Sequence, residues 1–253
     1  MQNILITGAS SGIGAELAKK FAEPNINLLL IGRNKARLDK VAKECLAKKA
    51  NVFLQIADVT NSEKIKKIIN EFDKKFPLDL VIANAGISAG TGRTGEAQSQ
   101  VDLIFNVNIL GVVNSIYPAI ALMKQRKKGH IAIMSSMASF LALPSAPSYS
   151  SSKACVRFLG ESLYVELKKY NVAVSVICPG YVKSPMTNCN QFPMPFLMSS
   201  AKAANIIKTG LLKRKYMIIF PKIMYYFISF LALLPTSLRC YILGKLPNKP
   251  SLD

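Results

Sequence analysis

Thr7-Gly8-Ala9-Ser10-Ser11-Gly12-Ile13-Gly14 follows a short apolar run at residues 3–6 and opens a helical pattern marked by Ile13, Leu17, Ala18 and Phe21, which stops before Pro24. Glycines let the backbone come close to a ligand, and the free N–H groups at a helix start attract an anion such as a pyrophosphate. A glycine-rich turn alone is a weak signal. Its position between a first strand and a first helix gives it weight.

The same alternation repeats outward from this turn. A second apolar strand at 27–31 leads into a helix whose inner face is read as Leu38, Val41, Ala42, Cys45 and Leu46. Strands at 52–56 and 78–83 flank a helix at 62–74. A Gly/Ser/Thr-rich loop at 88–95 gives way to helical stretches ending near Lys124, followed by a strand at 131–134. A long helix at 148–170, a strand at 172–177, a helix at 201–212 and a strand at 217–220 complete the series. Uniformly apolar strands separated by amphipathic helices predict a parallel sheet covered on both faces. Right-handed crossovers then make a single Rossmann-like, doubly wound α/β sheet of about seven strands, with its crevice at the carboxyl ends. Residues 1–220 form the expected catalytic domain and 221–253 an apolar appendage.

Apolar residues make up 50% of the 253-residue chain, and mean hydropathy is +0.25. Lys and Arg number 33 against 14 Asp and Glu, a formal charge of +19. That balance fits an anionic partner or a solvated lysine-rich surface. No basic cluster interleaved with aromatic residues is visible, so no specific nucleic acid is expected. Cys45, Cys155, Cys178, Cys189 and Cys240 form no C-x-x-C and no ligand spacing with His130. Free thiols in a reducing compartment are therefore expected, with neither a metal site nor a disulfide framework. The N-terminus shows no basic stretch followed by an apolar one, so no secretory signal is read there and the cytoplasm is the expected location. His130 is read as a capping or solvated residue ahead of a strand.

Tyr149 and Lys153 are four residues apart, and Ser136 stands thirteen residues before Tyr149. On a helix, that tyrosine and lysine share one face. A lysine ammonium favours the phenolate, which makes the tyrosine a usable general acid.

T-G-x-x-x-G-I-G, then Asn84-Ala85-Gly86, Asn108, Ser136 and Tyr149-x-x-x-Lys153, together resemble the short-chain dehydrogenase/reductase family over about residues 2–220. Asp58 and Pro179-Gly180 match as well. The resemblance implies that Tyr149 exchanges a proton with the substrate oxygen. It also implies that Lys153 holds the nicotinamide ribose and lowers the tyrosine pKa, and that Ser136 orients the carbonyl. Asn108 would hold a water that relays protons to Lys153. Ser135 faces the other way along its strand. Gly8, Ser10, Ser11, Gly12, Ile13 and Gly14 would cradle the pyrophosphate. Asp58 and Val59 would sit by the adenine, and Asn84, Ala85 and Gly86 would line the cofactor, with Asn84 near the adenine ribose. Val182 and Ser184, after Pro179 and Gly180, would meet the carboxamide, with Thr187 as the rival to Ser184. Cys178 is expected to pack near the nicotinamide without redox chemistry.

The end of the second strand bears on cofactor choice. NAD-binding members of this fold usually carry an acid there for the ribose 2′-OH. This chain has Gly32-Arg33-Asn34 instead. Arg33 can pair with a 2′-phosphate, and Ser10 can add a hydroxyl, so NADP(H) is the expected cofactor.

Residues 223–234 are uncharged and largely apolar, too short a run to span a bilayer as a helix. Tyr225 and Tyr226, with Lys213, Arg214, Lys215 and Arg239 nearby in sequence, suit a helix lying on an anionic membrane. Burial in the chain's own core and burial at a dimer interface are the alternatives. The Met-, Phe- and Pro-rich stretch at 185–196 suggests a hydrophobic substrate. The chain is thus expected to be an NADPH-dependent oxidoreductase. It would reduce a ketone or aldehyde, or oxidise the alcohol, of a hydrophobic, lipid-like substrate, with peripheral contact to a cytoplasmic membrane face through 221–244. The family implies a homodimer or homotetramer. A soluble 3-oxoacyl-thioester or sugar ketoreductase, and a non-catalytic NADPH-binding regulator, are the rival readings.

Overall fold

The computed structural model of the protein describes every residue from Met1 to Ser251 except Arg93, Leu246 and Asn248; Leu252 and Asp253 are likewise outside the described residues. The expected appendage at 221–253 is therefore described only in part beyond Leu243.

Seven parallel strands make one sheet: β1 (Asn3–Thr7), β2 (Asn27–Gly32), β3 (Asn51–Ile56), β4 (Leu80–Ala83), β5 (Gly129–Met134), β6 (Val172–Pro179) and β7 (Met217–Phe220). They stand in the order β3-β2-β1-β4-β5-β6-β7. The helices are α1 (Gly12–Phe21), α2 (Lys35–Leu46), α3 (Ser62–Lys75), α4 (Gln98–Phe105), α5 (Gly111–Arg126), α6 (Pro147–Leu167), α7 (Pro185–Asn188), α8 (Ser200–Leu212), α9 (Lys222–Leu233) and α10 (Thr236–Leu243). A π-helical turn, Asn106–Leu110, joins α4 to α5.

Alternation along the strands divides the core into two layers. Ile4, Ile6, Leu28, Leu30, Leu80 and Ile82 pack with Leu17 and Phe21 of α1, Leu38 of α2 and Ile207 and Leu211 of α8. Leu5, Leu29, Val81, Ile131 and Ile133 face Ile65, Ile69 and Phe72 of α3, Ile116 and Met123 of α5, and Val156 and Leu163 of α6. Side-chain caps start three of the helices: Asn34 Oδ1 accepts from Arg37 N at 2.9 Å, Asn61 Oδ1 from Lys64 N at 3.0 Å and Ser199 Oγ from Lys202 N at 3.2 Å. The chain runs outward from β1 to β3, then returns to β4 on the other side of β1. That reversal opens a crevice at the carboxyl ends of β1 and β4, where Gly8 and Asn84 meet.

Several expectations are corrected. Leu46 is 54% exposed rather than on the inner face of α2, because it lies one position past the Leu38-Val41-Ala42-Cys45 stripe. The fourth strand begins at Leu80, since Leu78 N is tied to Asp73 Oδ1 at 2.8 Å. His130 lies inside β5 and is fully buried, with Nε2 2.8 Å from Ser175 Oγ. Burial, and then the charge of Arg214, push its pKa down to about 4, so it is neutral. Lys213, Arg214 and Lys215 precede β7 while α9 follows it, so the length of that strand separates this basic cluster from the apolar helix.

The apolar run forms α9, and Leu243 of α10 packs with it. Ile228, Leu231 and Leu243 are buried against Met137 and Leu141. The same helix carries Ile223, Tyr226, Phe227, Phe230 and Leu233, all more than half exposed. A different stretch, 98–126, is the one described helical run long and apolar enough to cross a membrane, but half of that window is buried within the fold.

Candidate active site

The glycine turn is held by packing as much as by its own conformation. Gly8 and Gly12 have φ of +65° and +54°, a region that glycine enters without strain. Thr7 Oγ1 accepts from the backbone N of both Asn84 and Ala85 at 3.1 Å, and Asn84 Nδ2 donates to Thr7 O at 2.9 Å and Gly8 O at 3.2 Å. A Cβ on Gly14 would lie 2.3 Å from Gly8 O and 2.5 Å from Asn84 Nδ2. Gly14 therefore lets α1 close onto the turn and does not itself face the open space.

That space is a cavity of about 1140 Å³ running from the glycine turn to the tail helices. Gly8, Ser10, Ser11, Gly12 and Ile13 line it, with Arg33, Asn34, Asp58, Val59, Asn84, Ala85 and Gly86. Ser136, Tyr149, Lys153, Pro179, Gly180, Val182 and Ser184 line it too. Gly14 and Asn108 do not.

Tyr149 and Lys153 lie in the first turns of α6. Burial raises the Tyr149 pKa, its hydrogen bond with Ser136 works the other way, and Tyr181 raises it further. Ser136 Oγ also accepts from Ala138 N at 3.1 Å, which fixes it at the start of the short helix Met137–Phe140. Lys153 Nζ donates to Met134 O at 3.0 Å and lies 6.0 Å from the Tyr149 ring centroid. Burial lowers its pKa to about 8. Burial is the largest influence on Tyr149 here, and the Lys153 ammonium is engaged by a backbone oxygen. Ser135 also borders the cavity, but its Oγ donates to Lys153 O at 2.8 Å.

Asn108 sits fully buried in the π-helical turn. Its Oδ1 accepts from Ile87 N at 2.9 Å, and its Nδ2 donates to Ile87 O at 2.9 Å and Ser152 Oγ at 3.0 Å. It thus clamps the chain after β4 to α6, close behind Gly86 and Lys153. Ser184 has its Cβ 3.1 Å from where a Cβ on Gly12 would be, against the glycine turn. Thr187 Oγ1 donates to Val182 O at 2.8 Å, so its hydroxyl proton is engaged with the loop. Burial pushes the Cys178 thiol up to about 11, which keeps it protonated and inert.

At the other end of the cavity, Arg33 Nη1 is 3.4 Å from Asp58 Oδ2. Burial acts to raise the Asp58 carboxyl, but hydrogen bonds from Thr60 and the Arg33 guanidinium together hold it below the ordinary carboxylate range. Arg37 lines the same end, one turn along from Arg33 and Asn34. Its position four residues past Arg33 was the available signal for it.

A family model described as short chain dehydrogenase matches residues 2–192. The chain belongs to the short-chain dehydrogenase family. An uncharacterized oxidoreductase of Myxococcus xanthus is 35% identical over 218 residues, covering 86% of each chain. Among solved structures, a short-chain dehydrogenase/reductase from Burkholderia phymatum in complex with NAD superposes with a TM-score of 0.83 at 22% identity, over 98% of this chain and 97% of that one. A short-chain dehydrogenase from Sphingobium yanoikuyae in complex with NADPH gives 0.80 at 21% identity, over 100% and 99%. This short-chain dehydrogenase is accordingly an oxidoreductase, with the seven-stranded parallel sheet of its relatives.

Proposed function

We propose that the chain reduces the carbonyl of an apolar ketone or aldehyde, or oxidises the corresponding alcohol, using NADP(H). The observation that carries this reading is that Tyr149, Ser136 and Lys153 line one cavity together with the glycine turn. The turn fits a dinucleotide: Gly8 and Gly12 keep the backbone bare of side chains, and the N-terminus of α1 opens beside them. When bound, the nicotinamide supplies the hydride. Tyr149, held protonated by burial, gives its proton to the carbonyl oxygen in reduction and takes one back in oxidation. Ser136 donates to the same oxygen and stabilises the charge that develops there. Lys153 would hold the ribose and supply positive charge beside the tyrosine. Asn108 and Ser152 would position Lys153 from behind.

NADP(H) is favoured over NAD(H) by Arg33, which follows the second strand where an NAD-binding chain usually has an acid, and by Arg37 lining the same end of the cavity. Asp58 is nearby but is already tied to Thr60 and Arg33. Comparing NADPH with NADH oxidation over a panel of apolar ketones tests both the reaction and the cofactor. A preference for NADH contradicts the cofactor assignment, and no turnover with any ketone contradicts the reaction.

The exposed side of α9 supports peripheral attachment to the cytoplasmic face of a membrane. Ile223, Tyr226, Phe227, Phe230 and Leu233 recur at helical spacing, with Lys222 exposed at one end and the whole chain at +19. A second apolar surface on α4–α6, including Leu103, Tyr117, Phe158 and Val165, suits pairing with further copies of the chain. Sedimentation of the full chain, with and without anionic vesicles, separates these two associations.

A further inference from the structure

Lys249 lies outside the motif set and the reaction just described. Beyond α10, Lys249 and Pro250 are fastened to the loop after β4. Gly90 N donates to Pro250 O at 2.7 Å, and Gly92 N donates to Lys249 O at 2.9 Å. The loop is held from the other side by Thr91 N, which donates to Ser145 O at 3.0 Å. The fit is close: a Cβ on Gly90 would lie 2.4 Å from the Lys249 Cβ and 2.5 Å from its carbonyl oxygen. This strap brings the Lys249 side chain into the cavity. There its ammonium donates to Ser88 Oγ and lies 5.0 Å from the Tyr149 ring centroid.

An ammonium has three donors, and a neutral hydroxyl takes one of them. Burial pushes Lys249 down to about 8, as befits a cation withdrawn from water without a counter-charge. Among the described residues that line the cavity, Asp58 is the one carboxylate. It is already paired with Arg33 at the end formed by β2 and β3. Toward the tail the walls are apolar, built from Met137, Leu141, Ile228, Leu231 and Leu243. A charge-assisted pair in such surroundings is stronger than one in water.

We propose that Lys249 recognises a carboxylate on the substrate, whose apolar body lies against Ile228, Leu231 and Leu243 and whose carbonyl reaches Tyr149. This rests on the reductase reading and narrows it to an apolar oxo acid. The carbonyl carbon gains the hydride, Tyr149 supplies the proton, and the product is the hydroxy acid with its carboxylate unchanged. Lys249 therefore acts on selectivity and not on the proton transfer.

Calorimetric binding of octanoate and of 2-octanone to the full chain tests the assignment, with Lys249→Gln and Lys249→Arg beside the parent. Octanoate should bind Lys249→Gln about ten- to a hundredfold more weakly, as expected for losing one charge-assisted bond. Lys249→Arg keeps the charge and should bind octanoate nearly as the parent does, which also controls for folding. The affinity for 2-octanone should be alike in all three proteins. Equal weakening of both probes, no weakening of either, or no octanoate binding by the parent overturns the proposal. Octanoate has no reducible carbonyl, so its binding is read independently of turnover. Failure to reduce any ketone counts against the reductase reading and leaves the octanoate result standing.

Discussion

Lys153 directs its ammonium to the Met134 carbonyl oxygen at 3.0 Å, and the Tyr149 ring centroid lies 6.0 Å from it. The lysine is anchored on β5 through its head group, while its helix carries the tyrosine one turn away. The pair is therefore held by the joint between β5 and α6. The cost of that arrangement is a buried cation, since burial lowers Lys153 to about 8.

A pH signature follows from that burial. The unfolded lysine keeps its proton up to about 10.5, while the folded one releases it above about 8. Between these values the unfolded state binds more protons, so stability contributed at this site rises with pH across the window. Below about 8 the destabilisation is fully present. Lys153→Met should thus be more stable than the parent at pH 7, by about 3 kcal/mol at most. The difference should shrink as pH rises from 8 toward 10.5, as followed by denaturant unfolding at fixed ionic strength.

Arg33→Asp should reverse the cofactor preference. The substitution removes a phosphate partner and adds a like charge beside Asp58, which Arg33 now approaches at 3.4 Å. The expected loss in kcat/KM for NADPH is about ten- to a hundredfold, with NADH retained or improved. Steady-state kinetics with both cofactors decide it.

Gly14→Ala should damage cofactor binding through the turn without touching the ligand. The added methyl would meet Gly8 O at 2.3 Å and Asn84 Nδ2 at 2.5 Å, so the turn must shift or α1 must move away. Overpacking of this kind typically costs about 1–3 kcal/mol. Thermal unfolding with and without NADPH should show a lower midpoint and a smaller cofactor-induced rise.

Phe230 and Leu233 are 61% and 84% exposed on α9 and do not line the cavity. Replacing both with Asp should release the protein from anionic vesicles in a flotation assay while leaving reduction of a dissolved ketone unchanged. Equal flotation of parent and variant would count against membrane attachment.

Much of this architecture could be read from residues alone, because each strand is an apolar run flanked by Gly, Asn or Pro, and the second and third helices begin at the capping residues Asn34 and Asn61. The cavity wall was legible for the same reason: motif residues at strand ends converge wherever a parallel sheet reverses. Depth was not legible. Gly14 and Asn108 belong to the motifs by spacing, yet both stand behind the wall, supporting Gly8 and Ile87 respectively. His130 looked like a surface residue because its partner, Ser175, lies on the adjoining strand 45 positions later. Lys249 was invisible for a stronger reason. Its contact with Ser88 spans 161 residues, and no local pattern announces a strap of that kind.

The proposed reaction depends on Tyr149, and one substitution tests it. NADPH oxidation by Tyr149→Phe, with a ketone that the parent reduces, should fall by about a hundredfold or more, as for loss of a general acid. Its affinity for NADPH should stay close to that of the parent, since the glycine turn and Arg33 are untouched. Turnover at the parent rate by Tyr149→Phe would exclude Tyr149 as the proton donor.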